Sequence, residues 1–420
     1  MCVRFVRTTW QSVILSAATA TTDVENTMIG GLQKNISRLA IIAAAGVMSS
    51  TSAISADLGG NCCADLEERV AELEATTARK GNRRVSLSIS GHVNEGVMFW
   101  DDGVNSDAYV ATNTQSRTRF RFKGSATINA DWSAGFLLEM GMSMPGSALS
   151  VSAAADTTTI NDGIDVRHQT LYLKSKKWGT LHVGHTSDAT DGITQICLGC
   201  SFGDYSPIVT GDVAAAFTLR TAAGGASTTT VGDYMESAEG TRQAVVKYTS
   251  PTVQGFTLST NWADEEHDTD DGWGVALRYA GEFGAYRVAG GIGFESQLNT
   301  DRETTGGSLS IAHVPSGLYV AAGGGVESTT SGDDETWHVA AGINRKWNSL
   351  GKTHFGVIYG EFDMRDDGRS ASTWGFTTHQ KIDAAAMEVY VQYYRLDAEN
   401  DTDGDLQNFD VVFAGARIKF

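Results

Sequence analysis

From Val85 to Phe420 the chain alternates apolar and polar residues at period two, in runs broken by polar turns. Successive side chains of a strand point to opposite faces, so this pattern predicts strands with one greasy and one polar side. Phe256, Leu258, Thr260 and Trp262 alternate with Thr257, Ser259 and Asn261. Trp273, Val275, Leu277 and Tyr279 leave Arg278 on the other face, and Tyr286, Val288, Gly290, Ile292 and Phe294 leave Arg287 and Glu295 opposite. Met387, Val389, Val391 and Tyr393 oppose Glu388 and Gln392. Sixteen strands are predicted, beginning near residues 85, 117, 134, 167, 179, 242, 255, 273, 285, 307, 317, 336, 353, 373, 386 and 409. The last run places Val412, Ala414, Ala416, Ile418 and Phe420 on one face and Gly415, Arg417 and Lys419 on the other, which suits a closing strand ending on an aromatic.

The connections alternate in length. Tight ones around Asn129–Asp131, Lys176–Lys177, Gly281–Gly284 and Pro315–Gly317 are interleaved with longer acidic ones at Asp101–Gly103, Asp264–Gly272, Asp333–Glu335, Asp366–Asp367 and Asp397–Asp405. Short turns at one rim and long loops at the other imply an all-β, 16-stranded antiparallel transmembrane barrel. Charges keep to one strand face because an Arg or Lys facing lipid at mid-depth costs about 2–4 kcal/mol. Trp100, Trp132, Trp178, Trp262, Trp337 and Trp347 fall near strand ends, as interfacial girdles do. Glu95 breaks the rule by sitting on the apolar face of the first strand, which predicts that this strand lies at a subunit interface.

Composition narrows the picture. The chain has 420 residues with 47 glycines, 4 prolines and a net charge of −18. Few prolines favour long uninterrupted strands. No stretch reaches the roughly 20 apolar residues of a spanning helix, and an acidic chain is a poor partner for nucleic acid. Lys34 and Arg38 precede the apolar run Leu39–Met48, followed by small residues to Ala56. Residues 1–56 therefore read as a signal peptide region, with 1–27 unnecessary to it and Met28 a candidate start. Residues 57–82 read as a short periplasmic coiled-coil helix, with Leu66, Val70 and Leu73 on its seam as subunit contacts, and 83–420 as the barrel.

Candidate chemistry is sparse. In an exported chain, Cys197-Leu-Gly-Cys200 reads as a local disulfide in preference to a redox or metal motif. His182 and His185 are three apart on a strand and point to opposite faces, so they cannot share a metal. Neither a catalytic constellation nor a cofactor is indicated. The acidic outer loops, such as Glu399–Gly404, suit loose binding of divalent cations. Arg117, Arg119, Arg121 and Lys123 share one face of the second strand, opposite Phe120 and Phe122, and so line the lumen. Glu139, Arg278, Arg287 and Arg417 are expected on luminal faces too. The net charge, carried largely by outer loops, predicts mild cation preference at low salt.

Three stretches resemble a known family. Asp57 to Gly81 leading into Val85–Gly91, then Ser116-Arg-Thr-Arg-Phe-Arg-Phe-Lys-Gly124 and Trp178 to Gly192, together with the terminal Phe420, are similar to alphaproteobacterial (Rhizobiales-type) outer-membrane porins. The resemblance implies a homotrimer in the cell outer membrane, among lipid and lipopolysaccharide, passing small hydrophilic solutes and ions. It also implies that the long loop at about 186–241 folds into the barrel, bringing Asp188, Asp191, Asp204 and Asp212 to face the basic strand. A substrate-selective channel, a barrel serving as surface adhesin or anchor, and a barrel enzyme are the alternatives.

Overall fold

The computed structural model describes residues 84–143, 163–263, 271–297, 301–365 and 367–420. The leader region and the seam residues Leu66, Val70 and Leu73 lie outside them. The strands are β1 (Ser86–Asp101), β2 (Ser106–Thr112), β3 (Arg119–Thr127), β4 (Trp132–Ser143), β5 (Gly163–Ser175), β6 (Gly179–Ser187), β7 (Thr218–Arg220), β8 (Ala226–Thr230), β9 (Arg242–Thr249) and β10 (Phe256–Ala263). They continue as β11 (Gly272–Phe283), β12 (Tyr286–Gln297), β13 (Arg302–His313), β14 (Leu318–Ser328), β15 (Asp333–Arg345), β16 (Thr353–Met364), β17 (Arg369–Ile382), β18 (Met387–Asn400), β19 (Gly404–Asp405) and β20 (Phe409–Lys419).

One antiparallel sheet runs through all of them except the β7–β8 hairpin, and it closes on itself because β20 pairs with both β18 and β1. β2 and β3 share one position beside β1, and β19 is a stub on β18, so the wall is a closed 16-strand barrel. Closure leaves the sheet without the free edges that would otherwise expose unpaired backbone groups to lipid.

Side chains sort as the alternation predicts. Leu171 is 66% and Ile292 60% exposed on the outer face, whereas Asn261 is 4% exposed on the inner one. Trp262, Trp273, Trp337 and Trp374 form an outward belt near the loop rim, and Trp178 and Trp347 stand near the turn rim. No helix among the described residues is long and apolar enough to cross a membrane, so strands make the crossing.

Four features differ from the sequence reading. The second wall position is broken: the chain leaves the wall after Thr112, makes a single 3-10 turn at Thr114–Ser116, and returns at Arg119. Several acidic runs read as loops are strand, since Asp333–Glu335 open β15 and Asp397 lies within β18. Connections at the loop rim of the second half are therefore short, as between β12 and β13 or β14 and β15, and loop length separates the rims only in the first half. Trp100 points inward, almost fully buried against Phe217 and Tyr109, and belongs to no girdle.

The fourth difference is the interior. The inward face of β20 carries Phe409, Val411 and Phe413, none of them noticeably exposed. Together with Met98, Tyr394, Leu396 and Phe362 they pack against Val209, Val213, Phe217, Leu219 and Tyr234 of the loop between β6 and β9. Each large apolar side chain so buried contributes roughly 1.5–3 kcal/mol. Part of the barrel interior is thus dry, and the lumen is not a uniform column of water.

Candidate pore constriction

The loop between β6 and β9 is the element that shapes the interior. It contains the helix α1 (Val209–Ala214), the β7–β8 hairpin, a 3-10 turn at Val231–Tyr234 and the Cys197–Cys200 disulfide, with Cα atoms 5.7 Å apart. Its path follows the inner wall strand by strand. Arg278 on β11 donates to the carbonyls of Ala189 (2.7 Å) and Asp191 (3.0 Å). Ser308 on β13 donates to the Ile193 carbonyl and accepts from the Ile196 amide, and Ser310 accepts from Leu198 at 3.0 Å. Asn344 on β15 donates to the Gly199 carbonyl, and Tyr394 on β18 donates to that of Gly203 at 2.6 Å. Gln115, in the inward break between β2 and β3, donates to the Val209 carbonyl at 3.0 Å. Backbone polar groups of the inserted loop thereby find partners on the wall.

The loop tip is seated on a buried polar cluster. Asp204 accepts from Tyr319 on β14 and from the Ser201 amide (2.7 Å), and lies 3.3 Å from His354 on β16. Phe202 packs edge-on to His379 and Tyr390, with the Arg417 guanidinium 4.3 Å from its ring centre. At the loop's base Asp188 accepts from the backbone amides of Thr190, Asp191 and Thr241, which ties the entering strand to the returning one. Thr194 donates both its amide and its hydroxyl to Glu239 from that return.

With the loop against β11 to β18, the wall left uncovered is β3 to β5. Here Glu139 on β4 has no exposed surface and is bound by three guanidinium groups: Arg121 at 2.6 Å, Arg167 at 2.9 Å and Arg119 at 3.3 Å. A buried carboxylate is tolerable only when its lost hydration is replaced in this way. Arg167 reaches it because β5 has a β-bulge opposite Glu139 and Met140, which turns Arg167 and His168 to the same side. Arg242, the first residue of β9, places its guanidinium 3.9 Å from Asp191 and within electrostatic range of Arg167, Glu139 and Arg117.

The residues singled out in the sequence separate into distinct groups. Arg119 and Arg121 do come together on Glu139. Arg117 precedes β3 and pairs with Asp165 on β5, while Lys123 is exposed one turn of the pleat nearer the short-turn rim. Of the loop acids, Asp191 faces Arg242, and Asp212 accepts from Tyr205 at 3.3 Å within range of Arg167 and Arg242. Asp188 and Asp204 are buried and hold the loop in place, so they do not face the arginines. Arg287 pairs with Glu282 beside the β11–β12 turn, at the rim and away from the constriction. Arg417 is a partly buried anchor bonded to Glu388 (2.6 Å), against Phe202, and is spent on the wall and the loop tip. Glu95 takes hydroxyl hydrogen bonds from Thr112 and Thr118, both 2.8 Å, across the break in the second wall position.

Burial sets the charge of two loop acids. It raises Asp212 to about 6, against the opposing effects of the Tyr205 hydrogen bond and of Arg167 and Arg242. It raises Glu239 to about 7, opposed by its bonds from Thr194. Both acids therefore lose negative charge as the pH falls from 7.5 toward 5.5. No group of three or more His, Cys, Asp or Glu among the described residues is placed to hold a metal ion.

A closed strand barrel, apolar outside, with a loop folded across its interior and a charged passage beside it, defines an outer-membrane diffusion channel. The family follows from a direct match: residues 39–414 fit the model for Gram-negative porins, and the chain belongs to that family. It is accordingly a channel of the outer membrane and not an enzyme. No individually curated protein matches the chain. Solved structures with a similar fold include an anion-selective porin from Comamonas acidovorans, at 13% identity and a TM-score of 0.54, covering 80% of this chain and 100% of that one. The trimer form of OmpT from Vibrio cholerae shares 14% identity at a TM-score of 0.52, covering 80% and 99%. OmpF of Salmonella typhi, in complex with daunomycin, shares 13% identity at 0.51, covering 81% and 99%.

Proposed function

We propose that this porin works as a homotrimer whose constriction favours small anions over cations. The observation that carries the anion preference is that three guanidinium groups share the single carboxylate of Glu139 on the uncovered wall, while Asp188 is buried in the base of the loop and Asp204 is turned into the wall at β14 and β16. This reverses the preference expected from the net charge of −18, because much of that charge lies outside the narrow section. Fields from the outer loops are screened within about 8–10 Å at physiological salt, whereas groups lining a narrow passage act at contact distance. The anion-selective porin of similar fold is compatible with this reading.

The trimer rests on the outer face. The loop-rim belt of Trp262, Trp273, Trp337, Tyr359, Trp374 and Tyr393 spans β10 to β18. Near that rim, β20, β1 and β2 offer Val412, Ala414, Phe99 and Val110 outward, with Glu95 among them. A sector lacking the interfacial Trp and Tyr of the belt and carrying a carboxylate suits contact with other protomers more than contact with lipid. The trimer form of the similar OmpT accords with this. The likeness of Asp57–Gly91, Ser116–Gly124 and Trp178–Gly192 to alphaproteobacterial porins supports a place in that branch, in a membrane of lipid and lipopolysaccharide.

The test is a planar-bilayer recording in asymmetric KCl at low salt. A reversal potential favouring chloride is expected. One favouring potassium overturns the assignment of the constriction.

A further inference from the structure

The Cys197–Cys200 disulfide lies inside the barrel, in the part of the loop laid along β13 to β15. The Leu198 amide donates to Ser310 on β13 at 3.0 Å, and Asn344 on β15 donates to the Gly199 carbonyl at 3.3 Å. A Cβ at Gly199 would run into the Tyr319 ring of β14, so the disulfide-closed turn is pressed against the wall. Whatever surface the turn leaves open therefore faces the interior. Leu198 is 39% exposed there, and both cysteines are only partly buried. A disulfide sealed in a core is inert, whereas an exposed one meets any thiol that water carries to it.

The turn is also built to open. The Cys200 amide donates to Sγ of Cys197 at 3.2 Å. That donor stabilises the thiolate left on Cys197 when Cys200 is attacked, and a stabilised leaving group leaves faster. Opening has a mechanical consequence as well. Tyr319, on which Gly199 rests, donates its hydroxyl to Asp204, the residue that seats the loop tip. With the wall behind it, a segment released from the turn can move only toward the passage.

We propose that the Cys197–Cys200 disulfide is a thiol-exchange site reached from the passage, taking low-molecular-weight thiols, and that opening it narrows the channel. The pair is a target of exchange and not a catalyst of it. One small thiolate attacks Sγ of Cys200, forming a mixed disulfide and releasing Cys197 as a thiolate. A second small thiolate attacks the small molecule's sulfur in that mixed disulfide and releases Cys200. The protons lost by the two small thiols end on the two cysteines. Two small thiols are thereby oxidised to one small disulfide, and the reverse reaction restores the turn.

The experiment treats the purified, folded porin with a small dithiol over minutes to hours. Free thiols are then labelled with a maleimide, and the peptide spanning 197–200 is read by mass. That peptide gains a label on each cysteine while the barrel keeps its folded mobility on an unheated gel. In planar bilayers the same dithiol lowers the single-channel open level and adds noise, and a small disulfide reverses both. Cys197→Ser combined with Cys200→Ser shows the lower level from the outset and no response to dithiol. Should that double variant fail to assemble, the reversal in the wild-type channel decides. Labels that appear only after denaturation overturn the site, and so does an open level that reduction leaves unchanged. Neither result depends on which ion the constriction favours.

Discussion

At the scale of single residues, Glu139 governs this pore more than any of the cations around it. Removing it leaves three guanidinium groups in mutual repulsion with no counter-charge beneath them. Glu139→Leu is expected to destabilise the barrel by about 2–4 kcal/mol, somewhat less than for a fully buried pair because Arg121 is partly solvated. It should appear as a lower temperature of conversion from folded to unfolded mobility on a semi-native gel. An unchanged temperature would show that the cluster relaxes freely without its anchor. A second expectation concerns pH. Asp212, at about 6, and Glu239, at about 7, lose negative charge as pH falls from 7.5 to 5.5. Chloride preference should therefore strengthen on acidification over that window and weaken on the return, read as a reversal-potential titration, and Asp212→Asn should flatten its lower part. The sequence made Arg119 and Arg121 legible because two inward cations at period two can hardly face lipid. Arg167 stayed hidden, since a β-bulge sets it out of phase with its strand and nothing in the local residues announces the bulge. Asp188 and Asp204 were misread for a different reason. An aspartate in a loop looks the same in sequence whether it meets water or a buried tyrosine.

At the scale of elements, the loop between β6 and β9 lies close to the wall because the wall makes room for it. Gly306 on β13 and Gly325 on β14 face the returning loop, and a Cβ at Gly306 would run into the Ala238 carbonyl oxygen and the Thr194 methyl group. Glycines that look costly in a strand interior thus serve a close approach of two backbones. Gly306→Val should lift the return of the loop from the wall, changing single-channel conductance and adding current noise without preventing barrel closure, which depends on strand pairing elsewhere. Conductance and noise identical to wild type would mean that the loop is held by its tip at Asp204 and Phe202 alone. The strands themselves were largely readable, because lipid on one side and polar groups on the other impose a strict period of two. Two things were not. The break at 113–118 has no Pro or Gly to mark it, only the polar run Asn113-Thr-Gln-Ser116 whose side chains bond inward. The short loop-rim connections were hidden by acidic strand ends, since strands extending beyond the membrane carry the same residues as loops.

At the scale of the whole molecule, the outer surface divides into a girdled sector from β10 to β18 and an ungirdled one that contains the broken wall position. Around Glu95 the outward residues are Val93, Val97 and Phe99 on β1, Val110 on β2, and Ala414 and Ala416 on β20. A carboxylate there has its two oxygens taken by Thr112 and Thr118, which satisfies hydrogen bonding inside the chain but leaves the charge on an apolar face. In hydrocarbon such a charge costs several kcal/mol even when bonded, whereas a protein interface supplies further dipoles and excludes lipid. Two substitutions separate a local role from an assembly role. Thr118→Val removes a bond within the barrel and should loosen the β1–β3 junction, lowering barrel stability by about 1–2 kcal/mol. Glu95→Ala removes both hydroxyl bonds together with the charge, so it should cost the isolated barrel no more than Thr118→Val does, yet lower the temperature at which a trimer band converts to monomer in unheated against heated gels. A trimer unaffected by Glu95→Ala would place the subunit contact elsewhere on the wall, and the girdle gap would then have to face lipid through β1 and β20 alone.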